Sequence, residues 1–151
     1  MKQIQYPSLV LLFFAFSAYA DAQKIVAPVS VGELFDKITI LEIKVERFTN
    51  AKQRANVALE LSLLNKTVTE HSLLTPSIEA LKAELLEVNK KLWDIEDNIR
   101  AQEAKKTFDT EFIKLARSVY LTNDERCQIK RNINIQAGSQ LIEEKQYRTY
   151  A

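Results

Sequence analysis

In the stretch NKKLWDIEDNIR, Asn89, Trp93, Glu96, Asp97 and Arg100 recur at steps of three and four, which aligns them on one strip of a helix. Further on, Arg117, Tyr120, Asp124 and Cys127 or Arg131 make a comparable strip, with Asn123 and Arg126 beside it. An aromatic ring flanked by two arginines and two carboxylates suits a polar, planar or anionic ligand such as a sugar or a nucleotide. Guanidinium groups fork onto planar anions and stack on rings. The same residues equally suit a network of ion pairs and hydrogen bonds that fixes helix register. Asp36 and Lys37, far upstream, fit either arrangement.

Other chemistry has thinner support. Glu33 with Asp36, and Asp94 with Asp97, place carboxylates at i and i+3, the spacing by which an all-helical nucleotide hydrolase would hold Mg²⁺. Ordinary solvated helix faces show the same spacing. His71 is the only histidine and has no ligand-type residue three or four positions on, whereas zinc needs three or four ligands. It reads as a polar group at a helix C-terminus. Cys127 is the only cysteine, which excludes an intrachain disulfide and multi-cysteine zinc motifs; it reads as a small buried hydrophobe. No metal or cofactor is expected. The leading expectation is a noncatalytic binding or scaffolding protein whose partner is a protein or a small polar ligand. A Mg²⁺-dependent hydrolase and a self-associating coiled coil, hence a homo-oligomer, are the alternatives.

The elements that position these residues must be helices. With 2 glycines and 3 prolines in 151 residues, the chain has few turn-formers and must run in long elements. One domain's worth of core is available. Residues 1–20 resemble an export leader. Lys2 precedes an apolar run from Leu9 to Phe16, too short to span a bilayer, and Ala18-Tyr19-Ala20 has a small-x-small cleavage pattern. Cleavage there would place the folded part in the periplasm or outside the cell with no stable membrane span; an uncleaved segment would be an N-terminal anchor, and if the segment is no signal at all a cytoplasmic location is the alternative. Removing Lys2 leaves 20 basic against 20 acidic residues, a balance that argues against a nucleic-acid backbone binder.

Within 24–151 the expected fold is all-α, a bundle of about four helices with long antiparallel hairpins. The first helix spans Ser30 to Phe48. Ser30 and Glu33 form a capping box, Val29 and Leu34 a hydrophobic staple, and Leu34, Ile38, Leu41, Val45 and Phe48 the apolar stripe. The second, about Ala51 to His71, carries a narrower stripe of Val57, Leu61, Leu64 and Val68 and reads as the returning arm of a hairpin. Thr75-Pro76 starts a third helix that runs to about Lys106, with Ile78, Leu81, Leu85, Val88, Leu92, Ile95 and Ile99 as a heptad seam.

Asp109 caps the fourth helix, whose seam of Phe112, Leu115, Val119, Thr122, Arg126, Ile129 and Ile133 includes two polar members. An arginine facing a core needs a carboxylate or several acceptors. Alternatively, Thr122-x-x-Glu125 is itself a capping box that begins a new helix. Gly138 ends the helix, and the tail, with Leu141, Glu143, Glu144, Lys145, Tyr147 and Tyr150, is expected to dock back on the bundle. Antiparallel packing of the third and fourth helices would set Trp93 to Arg100 opposite Arg117 to Asp124.

The segments VSVGELFDKITILEIKVERF, LWDIEDNIR, FIKLARSVYLTNDERCQIKRNIN and GSQLIEEKQY together resemble a family of small uncharacterised bacterial and phage proteins, a domain of unknown function. The likeness runs from about Lys24 to Tyr150 and is weakest between Leu63 and Ile78. It implies a compact all-helical domain with no established activity. Some members are encoded beside sugar-transfer and cell-surface polysaccharide genes, which implies an association rather than a mechanism. Members begin near the position of Lys24, so the leader-like segment departs from the pattern.

Overall fold

The computed structural model describes residues 25–146, and the leader-like segment together with Tyr147 and Tyr150 lies outside them. Four helices follow one another: α1 (Val31–Arg47), α2 (Ala51–Glu70), α3 (Pro76–Ala104) and α4 (Thr110–Gln136). There is no strand among the described residues, and no helix there is long and apolar enough to cross a membrane. The fold is thus the expected all-α four-helix bundle.

Local sequence accounts for most of the boundaries. The side chains of Ser30, Asn50, Thr75 and Asp109 accept first-turn N–H groups of the four helices in turn. At the other ends, α2, α3 and α4 close with the paired hydrogen bonds of a Schellman motif: Leu73 N to Val68 O, Thr107 N to Gln102 O and Ser139 N to Asn134 O are the longer-range member of each pair. The left-handed residue these motifs need is Gly138 after α4, but Ser72 after α2 and Lys106 after α3.

α4 runs unbroken through Thr122, so the second capping box starts no new helix. Thr122 is 2 % exposed. Its place in the seam between two helices outweighs the capping pattern. The seam is filled as expected, with Leu85 and Ile133 fully buried and Ile78, Val88, Leu92, Ile95 and Ile129 nearly so. At 1.5 Å per residue α3 is about 43 Å long, and α4 lies beside it through most of that length.

α1 sits close to all three other helices, whereas α2 runs beside α1 alone. That central position buries α1 beyond its one expected stripe. Phe35, Thr39 and Ile43 are enclosed along with Leu34, Ile38 and Leu41, and Asp36 is buried as well. Two local expectations are modified. Val29 stays 56 % exposed while Leu34 is buried, so the staple is weak at best. The tail docks through charge rather than apolar surface: Glu143 meets Lys130, Glu144 meets Arg131, and Leu141 and Ile142 remain about two-fifths exposed.

Candidate functional site

The start of α1 is tied to the end of α4 by polar contacts. Gly32 N–H donates to Asn134 Oδ1 at 2.6 Å, and Val31 N–H donates to Ser139 Oγ at 3.2 Å. Ser30 Oγ accepts from Glu33 N, the expected half of the capping box. The Glu33 carboxylate meets the Lys130 ammonium at 2.5 Å. Lys130, 5 % exposed, also faces Asp36 at 3.5 Å and Glu143 at 3.0 Å. Burial pulls this ammonium down, but hydrogen bonds to Glu33 and Glu143 and the charges of Asp36 and Glu33 outweigh it and hold Lys130 above the ordinary lysine value. The hydrogen bond from Lys130 holds Glu143 below the ordinary carboxylate value.

From this cluster a second chain of contacts leads to α3. Asn89 Nδ2 donates to Asp36 Oδ1 and to Thr39 Oγ1, each at 2.9 Å, and Thr39 Oγ1 bonds the carbonyls of Phe35 and Asp36. Asp36 is thus joined to both Lys130 and Asn89 inside the bundle, and Asn89 stands at the edge of this network.

Beyond Asn89 lies an open groove of roughly 330 Å³ between α1, α3 and α4. Ile40 and Ile43 of α1 and Leu92 and Trp93 of α3 form its apolar wall. Asn89, Glu96, Asp97 and Arg100 of α3 and Arg126 of α4 supply its polar groups. Trp93 is held from behind: the Arg47 guanidinium lies 5.6 Å from its ring centroid, itself paired with Asp94 at 2.5 Å, and Phe48 packs edge-on at 6.4 Å. Arg100 pairs with Glu96 at 3.5 Å. Arg126 is different. Its Nε is buried without a hydrogen-bond partner, and no carboxylate pairs with its guanidinium among the described residues.

Of the residues singled out by spacing, the groove gathers Asn89, Trp93, Glu96, Asp97, Arg100 and Arg126 and leaves out the others. The hairpin register is as expected, since Lys91 meets Glu125 at 3.4 Å. Arg117 and Tyr120 nevertheless point outward and are exposed. Each residue turns the helix by about 100°, so Tyr120 and Asp124, two places either side of Thr122, lie on the far side of α4 from the seam. Asn123 is half-buried outside the groove, and Lys37 pairs with Glu60 on the surface.

Asp124 lines a second hollow, of roughly 310 Å³, under the tail with Cys127, Arg131, Glu144 and Lys145. There Arg131 is paired with Glu144, Lys145 with Glu143, and the half-buried Cys127 accepts from Lys145 at 2.7 Å. The carboxylate pairs with a spacing suited to Mg²⁺ are occupied in part: Glu33 and Asp36 share Lys130, and Asp94 holds Arg47. Among the described residues no group of three or more His, Cys, Asp and Glu could hold a metal ion.

Ile40 and Ile43 were missed because they lie off the α1 stripe, and only the crossing of α1 over the hairpin brings them to Trp93. Lys130 and Asn134 left a readable trace, a polar row with Arg126 at steps of four. No curated protein and no solved structure matches the chain. The model of one family of unknown function, DUF6165, matches residues 25–151, and the chain belongs to that family.

Proposed function

We propose that the domain is a noncatalytic binding module whose ligand occupies the groove between α1, α3 and α4. One observation carries this reading: Trp93, braced by the Arg47 guanidinium and Phe48, lines an apolar-walled groove whose polar groups are Asn89, Glu96, Asp97, Arg100 and Arg126. The ring so held is pre-positioned for a ligand.

The neighbouring sites support other roles less well. Charged groups under the tail pair with one another, and the Lys130 cluster is closed by protein partners. The self-associating reading drew on an unfilled seam along α3, which α4 of the same chain fills. Export of the folded part rests on the leader-like pattern alone; a mature N-terminus at Asp21 supports it, and recovery of the intact leader counts against it.

The binding reading is tested by a thermal-unfolding screen of small anions, cations and neutral compounds against the wild type, Trp93→Ala and Arg126→Gln. A ligand of the groove raises the midpoint of the wild type by mass action and leaves both variants unmoved. A screen with no stabilising compound, or with compounds that raise all three proteins equally, rejects the reading.

A further inference from the structure

We infer that the outer strip of α4 is the docking track of the chain's own residues 147–151, which lie outside the described ones. The strip is the row Arg117, Tyr120, Asp124, Cys127 and Arg131, spaced at three and four and so aligned on one side of the helix. The groove takes in none of it. After Gly138 the chain doubles back along this side. Glu144 meets Arg131 at 2.8 Å, and Lys145 Nζ then reaches Cys127 Sγ at 2.7 Å, so the tail runs antiparallel to α4 and heads for its N-terminus. The hollow beneath it is lined by Asp124, Cys127 and Arg131.

The described tail ends one residue later, at Gln146. Ahead of it on the strip stand Tyr120 and Arg117, both exposed, bordered by Ile113 and Leu121, which are 56 % and 46 % exposed. Length decides which segment covers them. From Lys145 to Tyr150 an extended chain spans roughly 17 Å at about 3.3 Å per residue. From Cys127 to Arg117 the helix rises about 15 Å at 1.5 Å per residue. Tyr147, about 7 Å past Lys145, comes level with the turn between Asp124 and Tyr120, and Tyr150 comes level with Arg117. The two rows also match in chemistry. A phenol O–H donates to a carboxylate, an aromatic ring packs edge-on against another such as Tyr120, and a guanidinium lies over the face of a ring. A strap in this place closes the mouth of the hollow over Cys127, the only thiol.

The test uses the full chain labelled with nitrogen-15. Backbone order parameters of residues 147–150 are expected to be about 0.8, close to rigid backbone, and to fall below about 0.6 in Tyr147→Ala and, reciprocally, in Tyr120→Ala. Tyr120 is exposed, so circular dichroism should show the helices of that variant retained. Alkylation of Cys127 by N-ethylmaleimide is expected to run on the order of 10-fold faster in both variants, because the reagent enters when the strap opens.

Order parameters below about 0.6 in the wild type overturn the inference, as do variants whose tail stays ordered or whose Cys127 reacts no faster. A tail that becomes ordered only as protein concentration and molecular mass rise together overturns it too, since the strip is then filled by a second copy.

Discussion

Gly32 and Asn134 stand 102 residues apart in the chain, yet the N–H of the first meets the side-chain oxygen of the second at 2.6 Å. This approach leaves no room for a side chain, since a Cβ on Gly32 would overlap the carbonyl oxygen of Lys130. Alanine is the better helix former by about 1 kcal/mol, but the overlap outweighs that gain. Gly32→Ala is expected to destabilise the fold by about 2 kcal/mol in urea unfolding. Asn134→Leu, which strands the Gly32 N–H, is expected to cost about 1–3 kcal/mol. A stabilised Gly32→Ala protein would show that α1 can shift away from α4 without penalty.

Lys130 holds three carboxylates from α1 and the tail. Lys130→Met leaves Asp36 buried without its cation, and a loss of about 3 kcal/mol is expected. The pH dependence follows from the directions of the shifts. Lys130 is raised, so its contribution is complete below 10.5 and lost as pH climbs through the raised value. Glu143 is lowered, so its contribution is complete above 4.5 and lost as pH falls through the lowered value. Unfolding midpoints across pH should therefore fall at both extremes, and Lys130→Met should flatten the alkaline limb. An unchanged alkaline limb in that variant would contradict the pairing.

Arg126 should behave oppositely to Lys130. Replacing it by methionine removes a buried donor that the protein does not satisfy while keeping much of the side-chain volume. A gain of about 1 kcal/mol is expected. Denaturant curves decide the matter: a clear destabilisation would mean that the guanidinium is already well accommodated.

The helix ends offer a conformational test without packing. Lys106 and Ser72 hold φ of 54° and 50°, a region that costs a side-chain-bearing residue on the order of 1 kcal/mol. Lys106→Gly and Ser72→Gly are each expected to stabilise by about 0.5 kcal/mol, after the greater freedom of glycine in the unfolded chain is deducted. Gly138, at φ 60° with no atom within 4 Å of a would-be Cβ, should lose about 1 kcal/mol as alanine. Equal midpoints for all three variants in differential scanning calorimetry would refute the strain.

Much of the architecture is local and was therefore readable. Ser30, Thr75-Pro76, Asp109 and Gly138 act on backbone groups within a turn of themselves, so residue types alone mark those helix ends. The α3 seam repeats at three and four and demands a long partner, which α4 provides. Most of the candidate site was legible for the same reason: Asn89, Trp93, Glu96, Asp97 and Arg100 share one face of one helix, and Arg126 stood out as a charge in a seam.

Folding decided which faces meet. Steps of three and four keep Arg117, Tyr120 and Asp124 together, but they do not say which side of α4 turns toward α3, and that side proved to be the outer one. Whether Thr122 ends a helix depended on what covers it, because capping is worth only about 1 kcal/mol against the burial of a seam. The groove needs Ile40 and Ile43 from α1, and the Lys130 cluster needs Glu33, Asp36 and Glu143 from two separate segments. Periodicity describes a helix about its own axis. Contacts between residues some hundred positions apart depend on how the axes pack, and that is settled only when all four helices share one core.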